Sequence, residues 1–181
     1  MHTFIALLRG INVGKANRIP MADLHALLEG LGYTDVRTLL NSGNAVFRAA
    51  KGVSAKHAAD IAAAITDQMQ LKVPVIVKSA QELDAIASGN PWATTAPDHS
   101  RLLVAFVQEN QALAGLGAIS RLVVAPEEFA IGPHAAYLHC ASGIMDSKAG
   151  KALLGKAGQA VTTRNWATVL KLQALASGRG D

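Results

Sequence analysis

The stretch "VRTLLNSGNAVFR", residues 36–48, contains two short runs that are strand candidates, joined by a polar turn. The runs are Val36 to Leu40 and Ala45 to Arg48, and the turn between them is Asn41-Ser42-Gly43-Asn44. Glycine and asparagine adopt the positive φ of a tight hairpin turn more readily than other residues. We therefore predict an antiparallel hairpin at the centre of the first structural lobe.

The hairpin is preceded by a strand and a helix and followed by a helix and a strand. Thr3 to Arg9 is a strand candidate, and leucines at helical spacing follow Pro20, a residue tolerated in a first helical turn. A second helical stripe follows the cap candidate Ser54, and Val73 to Val77 is strand-like, with Pro74 indicating an edge. The order β-α-β-β-α-β predicts a ferredoxin-like lobe with strand order 4-1-3-2.

The second half of the chain repeats this organisation less clearly. It begins after "SGNPWATTAPDHS", residues 88–100, whose proline, glycine, serine and threonine content is typical of a connector. We expect strands at 101–107, 122–125, 128–131 and 136–140, a short helix at 111–119, and final helices at 147–155 and 164–176. The predicted fold is α+β, with two ferredoxin-like lobes and mainly antiparallel sheets. We divide it into residues 1–88, a connector at 89–100, and residues 101–181.

Positive charge is concentrated in two parts of the chain. Residues 1–140 carry 11 Lys or Arg and 11 Asp or Glu, so the net charge of +4 lies entirely in residues 141–181. A local excess of Arg9, Lys15 and Arg18 has no acidic residue before Asp23. Such clusters suit an anionic partner, although most basic runs are solvated surface.

Cysteine and histidine usage favours a reducing compartment. Cys140 is the single cysteine, and the six histidines lack metal-finger spacing, so we expect neither a disulfide nor a bound metal. The apolar run Phe4 to Leu8 is too short for a signal-peptide core or a membrane span. These features predict a cytoplasmic protein with no membrane partner and no cofactor.

The stretch "LLRGINVGKANRI", residues 7–19, has the appearance of a phosphate loop because a strand leads into glycines and a lysine. A Walker loop reads G-x-x-x-x-G-K-[ST], and its final hydroxyl binds magnesium. Here three residues separate Gly10 from Gly14, and Ala16 replaces the hydroxyl residue. Both departures argue against a Walker-type NTPase.

The first loop and the hairpin turn should lie at one sheet edge in a 4-1-3-2 sheet, with Asn44 beside Arg9 and Gly10. The loop also leads into a helix N-terminus, which attracts anions. Either its amides and asparagines contact a ligand, or the asparagines only brace the loop. The candidate ligand-binding residues at this edge are Arg9, Asn12, Gly14, Asn17, Ser42 and Asn44.

A second set of candidates lies near the end of the chain. If Thr162 or Thr163 caps the last helix, Arg164 and Asn165 occupy its first turn, and Ser147 with Lys148 occupies the start of the preceding helix. Cations at two helix starts would suit a phosphate or carboxylate. The alternative is that Arg164 pairs with an acid or with buried carbonyls. Trp166 is expected in the core.

Other functional classes have weaker support. An RNA-recognition module needs aromatic residues on its third strand, where this chain has only Phe47. A hydrolase needs a converging triad or a G-x-S-x-G elbow, and consecutive "DHS" at 98–100 provides neither. The basic C-terminal segment could still contact RNA phosphates.

Three segments together resemble a known family. They are "LLRGINVGKANRIPMADLHALLEGLGYTDVRTLLNSGNAVF", "GIMDSKAGKALL" and "TTRNWATVLKL", beginning at residues 7, 143 and 162. The chain resembles the uncharacterised bacterial family numbered 1697 among the domains of unknown function. The resemblance implies two ferredoxin-like subdomains and a cytosolic protein, with no established activity. It also implies that Lys15, usually a glycine there, is particular to this chain. The motif positions are Arg9, Asn12, Gly14, Asn17, Ser42, Gly43, Asn44, Ser147, Lys148, Arg164, Asn165 and Trp166.

The leading hypothesis from the sequence is a protein that binds an anionic ligand at these two sets of residues. The ligand would be a phosphate-bearing small molecule such as a nucleotide, or RNA. The alternatives are an enzyme of unknown reaction that uses the same cleft, and a structural or interaction protein whose motifs only brace the fold. The sequence leaves the oligomeric state open.

Overall fold

The computed structural model describes residues 1–179. The chain divides into two compact units, one comprising Met1–Leu83 with Leu172–Asp181 and the other Asp84–Lys171. This division follows contacts between residues and places the end of the chain with the first unit. The predicted domain boundaries at residues 88 and 101 concern parts of the chain that fold separately, and they remain a prediction.

The first unit contains the predicted β-α-β-β-α-β arrangement. Its elements are β1 (His2–Leu8), α1 (Met21–Gly30), β2 (Thr34–Leu39), β3 (Asn44–Ala49), α2 (Ser54–Met69) and β4 (Val75–Ser79). The following helix, α3 (Ala80–Ser88), begins in the first unit and ends in the second. The sheet has the order β2-β3-β1-β4, and its pairs are antiparallel. The predicted order 4-1-3-2 is confirmed, and β4 is an edge strand, as Pro74 indicated.

The core of the first unit lies between this sheet and helices α1 and α2. Phe4, Ala6 and Leu8 alternate along β1 and pack in one cluster with buried Leu24 of α1 and Ile61 of α2. Burying each large side chain stabilises the fold by about 1.5 to 3 kcal/mol. One face of β1 and the helical stripe of leucines in α1 therefore share one core, and the other face of this strand is largely buried as well.

The cap predicted for α2 is wrong. Val53 occupies the N-cap position, and Ser54 is the first residue of the helix. The Ser54 hydroxyl donates to Glu82 Oε2 at 2.6 Å. The carboxylate competes for the hydroxyl, so Ser54 links α2 to α3 instead of capping its own helix.

The β2–β3 hairpin forms as predicted, with Leu39 paired to Asn44. Gly43 has the expected positive φ of 84°. The other residue of the turn with a positive φ is Leu40, at 59°, and not Asn41 or Asn44. A Cβ at Gly43 would lie 2.7 Å from Ile11 Cδ1, so the loop above it packs directly onto the turn. Glycine is required here both by the backbone conformation and by this contact.

The second unit has the same topology. It contains β5 (Leu102–Val107), β6 (Glu128–Ile131), β7 (Ala135–His139), α4 (Lys148–Leu154) and β8 (Val161–Asn165), and it contains most of α5 (Trp166–Ala176). The antiparallel sheet has the order β6-β7-β5-β8. A 3₁₀ helix at Asn110–Leu122 replaces the expected short α-helix. The α+β class with two four-stranded antiparallel sheets is thus confirmed for residues 1–179.

Two secondary-structure predictions in this unit are wrong. Residues 122–125 form the end of the 3₁₀ helix and a turn, not a strand. Val161–Asn165 is the fourth strand, whereas the sequence predicted a cap and a helix start there. The β-branched residues Val161, Thr162 and Thr163 favour a strand, and pairing with β5 stabilises it.

Candidate functional site

The loop at residues 10–19 and the turn at residues 40–43 are neighbours at one edge of the first sheet. Asn12 Nδ2 donates to the Asn41 carbonyl at 2.7 Å, and the Leu8 amide donates to the Gly43 carbonyl at 2.8 Å. The predicted proximity of loop and turn is confirmed. In detail, Asn44 pairs with Leu7 and not with the Arg9–Gly10 end, because the β1–β3 register is shifted by two residues.

The Asn12 side chain closes the loop on itself. Its Oδ1 accepts from the Ile19 amide at 2.9 Å, and its Nδ2 donates to the Ile19 carbonyl at 2.8 Å as well as to Asn41. Its own amide donates to the Asn17 carbonyl at 3.1 Å. Asn12 therefore supports the bracing interpretation: its amide group is used mainly to hold the loop and to dock it on the turn.

Three other motif residues shape this loop. Gly14 and Asn17 have positive φ values of 66° and 51°, and Gly10 has one of 67°. Asn17 Nδ2 donates weakly to the Gly10 carbonyl at 3.4 Å. No atom lies within 4 Å of a Cβ built on Gly10 or Gly14, so their backbone conformation and not packing favours glycine.

The motif residues of the turn are also engaged internally. Asn44 is fully buried, and its Nδ2 donates to the Leu39 carbonyl at 2.8 Å and to Ser42 Oγ at 2.9 Å. Buried amide groups that lack such partners destabilise a fold. Asn44 thus holds the turn from beneath, and Ser42 is exposed above it.

A cleft lies where the first loop meets the hairpin turn, next to the N-cap residue of α1. It has a volume of about 280 Å³ and is lined by Asn12, Arg18, Ile19, Pro20 and Asn41. Arg18 is exposed, and its Nη2 donates to the Gly14 carbonyl at 3.3 Å. The sequence identified Arg18 only as part of a basic run, and it gave no sign that Asn41 lines the same cleft.

The start of α1 has no side-chain cap. Pro20 occupies the N-cap position, and its carbonyl accepts from the amides of Asp23 and Leu24. The amides of Met21 and Ala22 have no partner among the hydrogen bonds of residues 1–179. Such amides, together with the helix dipole, favour an anion at this end of the helix.

The candidates at α4 have structural roles. Ser147 is buried and caps α4, since its Oγ accepts from the Gly150 amide at 2.8 Å. Lys148 is the exposed first residue of this helix. A hydrogen bond from Ser147 also reaches buried Cys140, whose thiol has a pKa raised by burial. Ser147 therefore lies at the start of this helix, as predicted, and serves as its cap.

Arg164 lies in a strand and not at a helix start, which corrects the prediction. It is on β8 opposite Val104 and only 8% exposed. Its Nη1 donates to Thr162 Oγ1 at 2.9 Å and to the Thr163 carbonyl at 2.8 Å, and burial lowers its pKa to about 10. The alternative interpretation, contact with a buried carbonyl, describes this arrangement better than an exposed cationic helix start.

Asn165 provides the cap that was expected from Thr162 or Thr163. Its Oδ1 accepts from both the amide and the hydroxyl of Thr168 at 2.9 Å, at the start of α5. Trp166, the first residue of α5, is buried as expected for a core residue. The "TRNW" motif therefore marks a strand-to-helix junction in the second unit.

In residues 1–179, no group of three or more His, Cys, Asp or Glu side chains is placed to hold a metal ion. No helix within that range has the length and apolar character needed to cross a membrane.

Sequence and structure comparisons place the chain among known proteins. The model of the family described as "Protein of unknown function (DUF1697)" matches residues 1–137, which is more than half of the chain. The chain belongs to this family. Outside the family models, no curated protein matches it.

A solved structure has the same fold as this DUF1697 member. The conserved bacterial protein SP0830 from Streptococcus pneumoniae is 23% identical, with a TM-score of 0.79. The match covers 97% of this chain and 98% of that one. At this identity the likeness establishes the shared fold of the two proteins and no activity.

Proposed function

We propose that the first unit binds a small anionic ligand, bearing a phosphate or carboxylate, in the cleft at the start of α1. The observation that carries the proposal is that one cleft is lined both by Arg18 and by Pro20, the N-cap residue of a helix that has no side-chain cap. A guanidinium supplies charge-assisted hydrogen bonds to an anion. Amides without a partner at a helix start supply further hydrogen-bond donors, at the positive end of the helix dipole.

The surrounding charge favours the same ligand. Arg9, Lys15 and Arg18 precede the first acidic residue, Asp23, which lies in the first turn of α1 and offsets part of their field. A charge-assisted hydrogen bond contributes about 1.5 to 3 kcal/mol, and an anion at an exposed helix N-terminus gains about 0.3 to 1 kcal/mol. Together these correspond to a dissociation constant of about 1 mM or weaker for inorganic phosphate.

The proposal is narrower than the hypothesis drawn from the sequence. It no longer includes Ser147, Arg164 and Asn165, because their side chains serve as a cap, a buried donor and a second cap. It retains the anionic chemistry of the ligand and places it on Arg18 and the α1 amides. Nucleotides and short RNA are among the ligands to be tested, since their phosphates offer the same chemistry.

A titration followed by amide NMR tests the proposal. Adding phosphate, AMP or a short RNA to wild type should shift the amide resonances of Met21 and Ala22, with saturation in the millimolar range. Arg18→Gln should weaken the binding at least fivefold, whereas Lys72→Gln, a change at an exposed lysine of the same unit, should not. Unmoved α1 resonances at 50 mM of every ligand would refute an anion site here, because even the weakest affinity in this range would leave about half of the sites occupied.

The bracing function of the motifs is a second candidate. It is supported by Asn12 and Asn44, whose amide groups hold the loop and the turn, and by the internal contacts of Arg164. If the motifs only brace the fold, Asn12→Ala reduces stability and no anion binds wild type. The same titration therefore separates the two candidates.

A further inference from the structure

A second cleft in the first unit is lined by three neighbouring strands and by the end of α5. It has a volume of about 300 Å³, and every residue of its lining belongs to this unit. The strands are β2, β3 and β1, which lie side by side in the sheet. The cleft shares no lining residue with the one beside Pro20, and we call it the strand cleft. Its polar residues are Thr3, Asp35, Arg37, Arg48 and Ser177.

A β-bulge brings charges of opposite sign together in the strand cleft. The β2–β3 register shifts between Thr34 and Arg37, and Asp35 within this bulge has a positive φ of 50°. Bulges commonly redirect a side chain, and here Asp35 Oδ2 accepts a hydrogen bond from Arg48 Nη1 at 3.2 Å. The two side chains are 61% and 45% exposed, and an exposed ion pair of this kind contributes little to stability. The ion pair alone therefore does not offset the positive φ and the interrupted strand pairing.

The strand cleft offers hydrogen-bonding groups of both kinds that the protein does not use. A guanidinium carries five N–H donors, and within the described part of the chain Arg48 makes only the contact with Asp35 Oδ2. In the same part of the chain, Asp35 Oδ1 and the Thr3 hydroxyl have no partner. The carbonyls of Ala176 and Ser177, at the end of α5, accept no hydrogen bond from the described residues. Positively charged donors and negatively charged or carbonyl acceptors thus line one cleft.

We infer that the strand cleft binds a small zwitterion of the free amino acid class, with its carboxylate on Arg48 and its ammonium on Asp35 and the last carbonyls of α5. The C-terminal end of a helix carries partial negative charge, which favours the ammonium at this place. Asp35 would repel an anion that has no ammonium group, and Arg37 and Arg48 would repel a cation that has no carboxylate. No aromatic ring is among the lining residues, so the cleft favours such a molecule over a stacked base. The inference does not depend on the anion site at Arg18.

Three small molecules of matched size test the inference. L-Alanine carries both charges, propionate lacks the ammonium group, and ethylamine lacks the carboxylate. Each is titrated into wild type and followed through the amide resonances of Asp35, Arg48 and Ser177. We expect L-alanine to bind about tenfold more tightly than propionate or ethylamine, because each of these lacks one charge-assisted contact.

Asp35→Asn is the informative variant because asparagine also suits the positive φ and only the charge is removed. It should abolish the preference for L-alanine over propionate, whereas Arg48→Gln should weaken the binding of both about tenfold. Asp60→Asn and Lys56→Gln are the matched controls, since they change another exposed ion pair of the first unit, and they should leave all three affinities unchanged. If Arg48→Gln does not fold, the amides that shift in wild type locate the ligand in its place.

The other outcomes overturn the inference. Equal affinity of wild type for propionate and L-alanine would show a site for anions only. An unchanged preference in Asp35→Asn, or unmoved resonances of Asp35, Arg48 and Ser177 while L-alanine binds, would place the ligand elsewhere. Absence of any shift with L-alanine at about 50 mM would exclude a zwitterion site of millimolar affinity. Phosphate binding at α1 is reported separately by Met21 and Ala22, so failure of one site is distinguishable from failure of the other.

Discussion

Acidification should destabilise the first unit through His57. This residue of α2 is 5% exposed and lies among three aromatic rings, with centroid distances of 4.5 Å to Phe4, 5.2 Å to Tyr33 and 5.8 Å to Phe47. Its Nδ1 is 2.9 Å from the Tyr33 hydroxyl. In the unfolded chain, water solvates a protonated imidazole. At this buried position the aromatic surroundings would provide little to replace that solvation.

The opposite side of the ring is poorly suited to a charge. Nε2 has no hydrogen-bond partner among the described residues, and a Cβ on Gly52 would lie only 2.6 Å from it. The Lys51 carbonyl is near enough to favour protonation but does not complete a hydrogen bond with Nε2. Burial of the ring is the main cause that lowers the His57 pKa from its ordinary 6.5; Asp60 opposes this effect and Lys56 adds to it.

The direction of the pH effect follows from this lowered pKa. Above pH 6.5 both states carry neutral His57, so the full stability is present. As the pH falls below 6.5, the unfolded chain binds the proton first, and stability declines until the pH passes the lower folded pKa. One proton limits this decline to about 1.4 kcal/mol per pH unit.

Urea unfolding between pH 7.5 and 5.0 measures the effect. His57→Phe, which removes the titrating ring and retains an aromatic side chain, should flatten the decline between pH 6.5 and 5.0. His25→Gln, a change at a more exposed histidine of α1, should leave the decline unchanged. The reasoning is refuted if NMR titration gives folded His57 a pKa of 6.5 or higher, or if the decline is unaltered in His57→Phe.

Substitutions at three motif residues, two of them with a comparison variant, test the roles assigned to these residues. Asn12→Ala should reduce the free energy of unfolding by about 2 to 4 kcal/mol in urea, because three side-chain hydrogen bonds are lost and the Ile19 amide loses its acceptor. Gly43→Ala should be more destabilising than Gly10→Ala, by about 1 kcal/mol or more in the same assay, because both have positive φ but only Gly43 packs against Ile11; equal losses would contradict this. Asn165→Ala should reduce stability by about 1 kcal/mol through loss of the α5 cap, and Asn165→Asp should restore most of it in thermal melts.

Much of the fold follows from local patterns in the sequence. The unbroken apolar run of β1, the helical leucines of α1 and the glycine turn at Gly43 are each typical of one local structure, and all agree with 4-1-3-2 order. β8 could not be predicted in this way. Its "TTRN" residues suit a helix cap as well as a strand, and pairing of Thr163 with Ala105, far away in sequence, decides between them.

The position of the candidate site was predictable from the sequence, but the roles of its residues were not. Strand order was sufficient to place the first loop beside the turn. The function of Asn12 depends on where Ile19 and Asn41 direct their backbone groups, and no pattern in the sequence specifies that direction. In the sequence the Asn12 side chain is a candidate ligand contact, but in the structure it forms its hydrogen bonds with backbone groups.

Bracing of the loop and binding of an anion are compatible functions of the same motif. A ligand that must order a flexible loop loses affinity through the entropy of that ordering. Asn12 fixes the loop at both Ile19 and Asn41 and so positions Arg18 and the first turn of α1 before any ligand arrives. Asn12→Ala would then weaken anion binding without removing any ligand contact, whereas Arg18→Gln would weaken binding at unchanged stability. If both variants changed stability and binding in the same proportion, the separate roles of Asn12 as a brace and Arg18 as a ligand contact would be refuted.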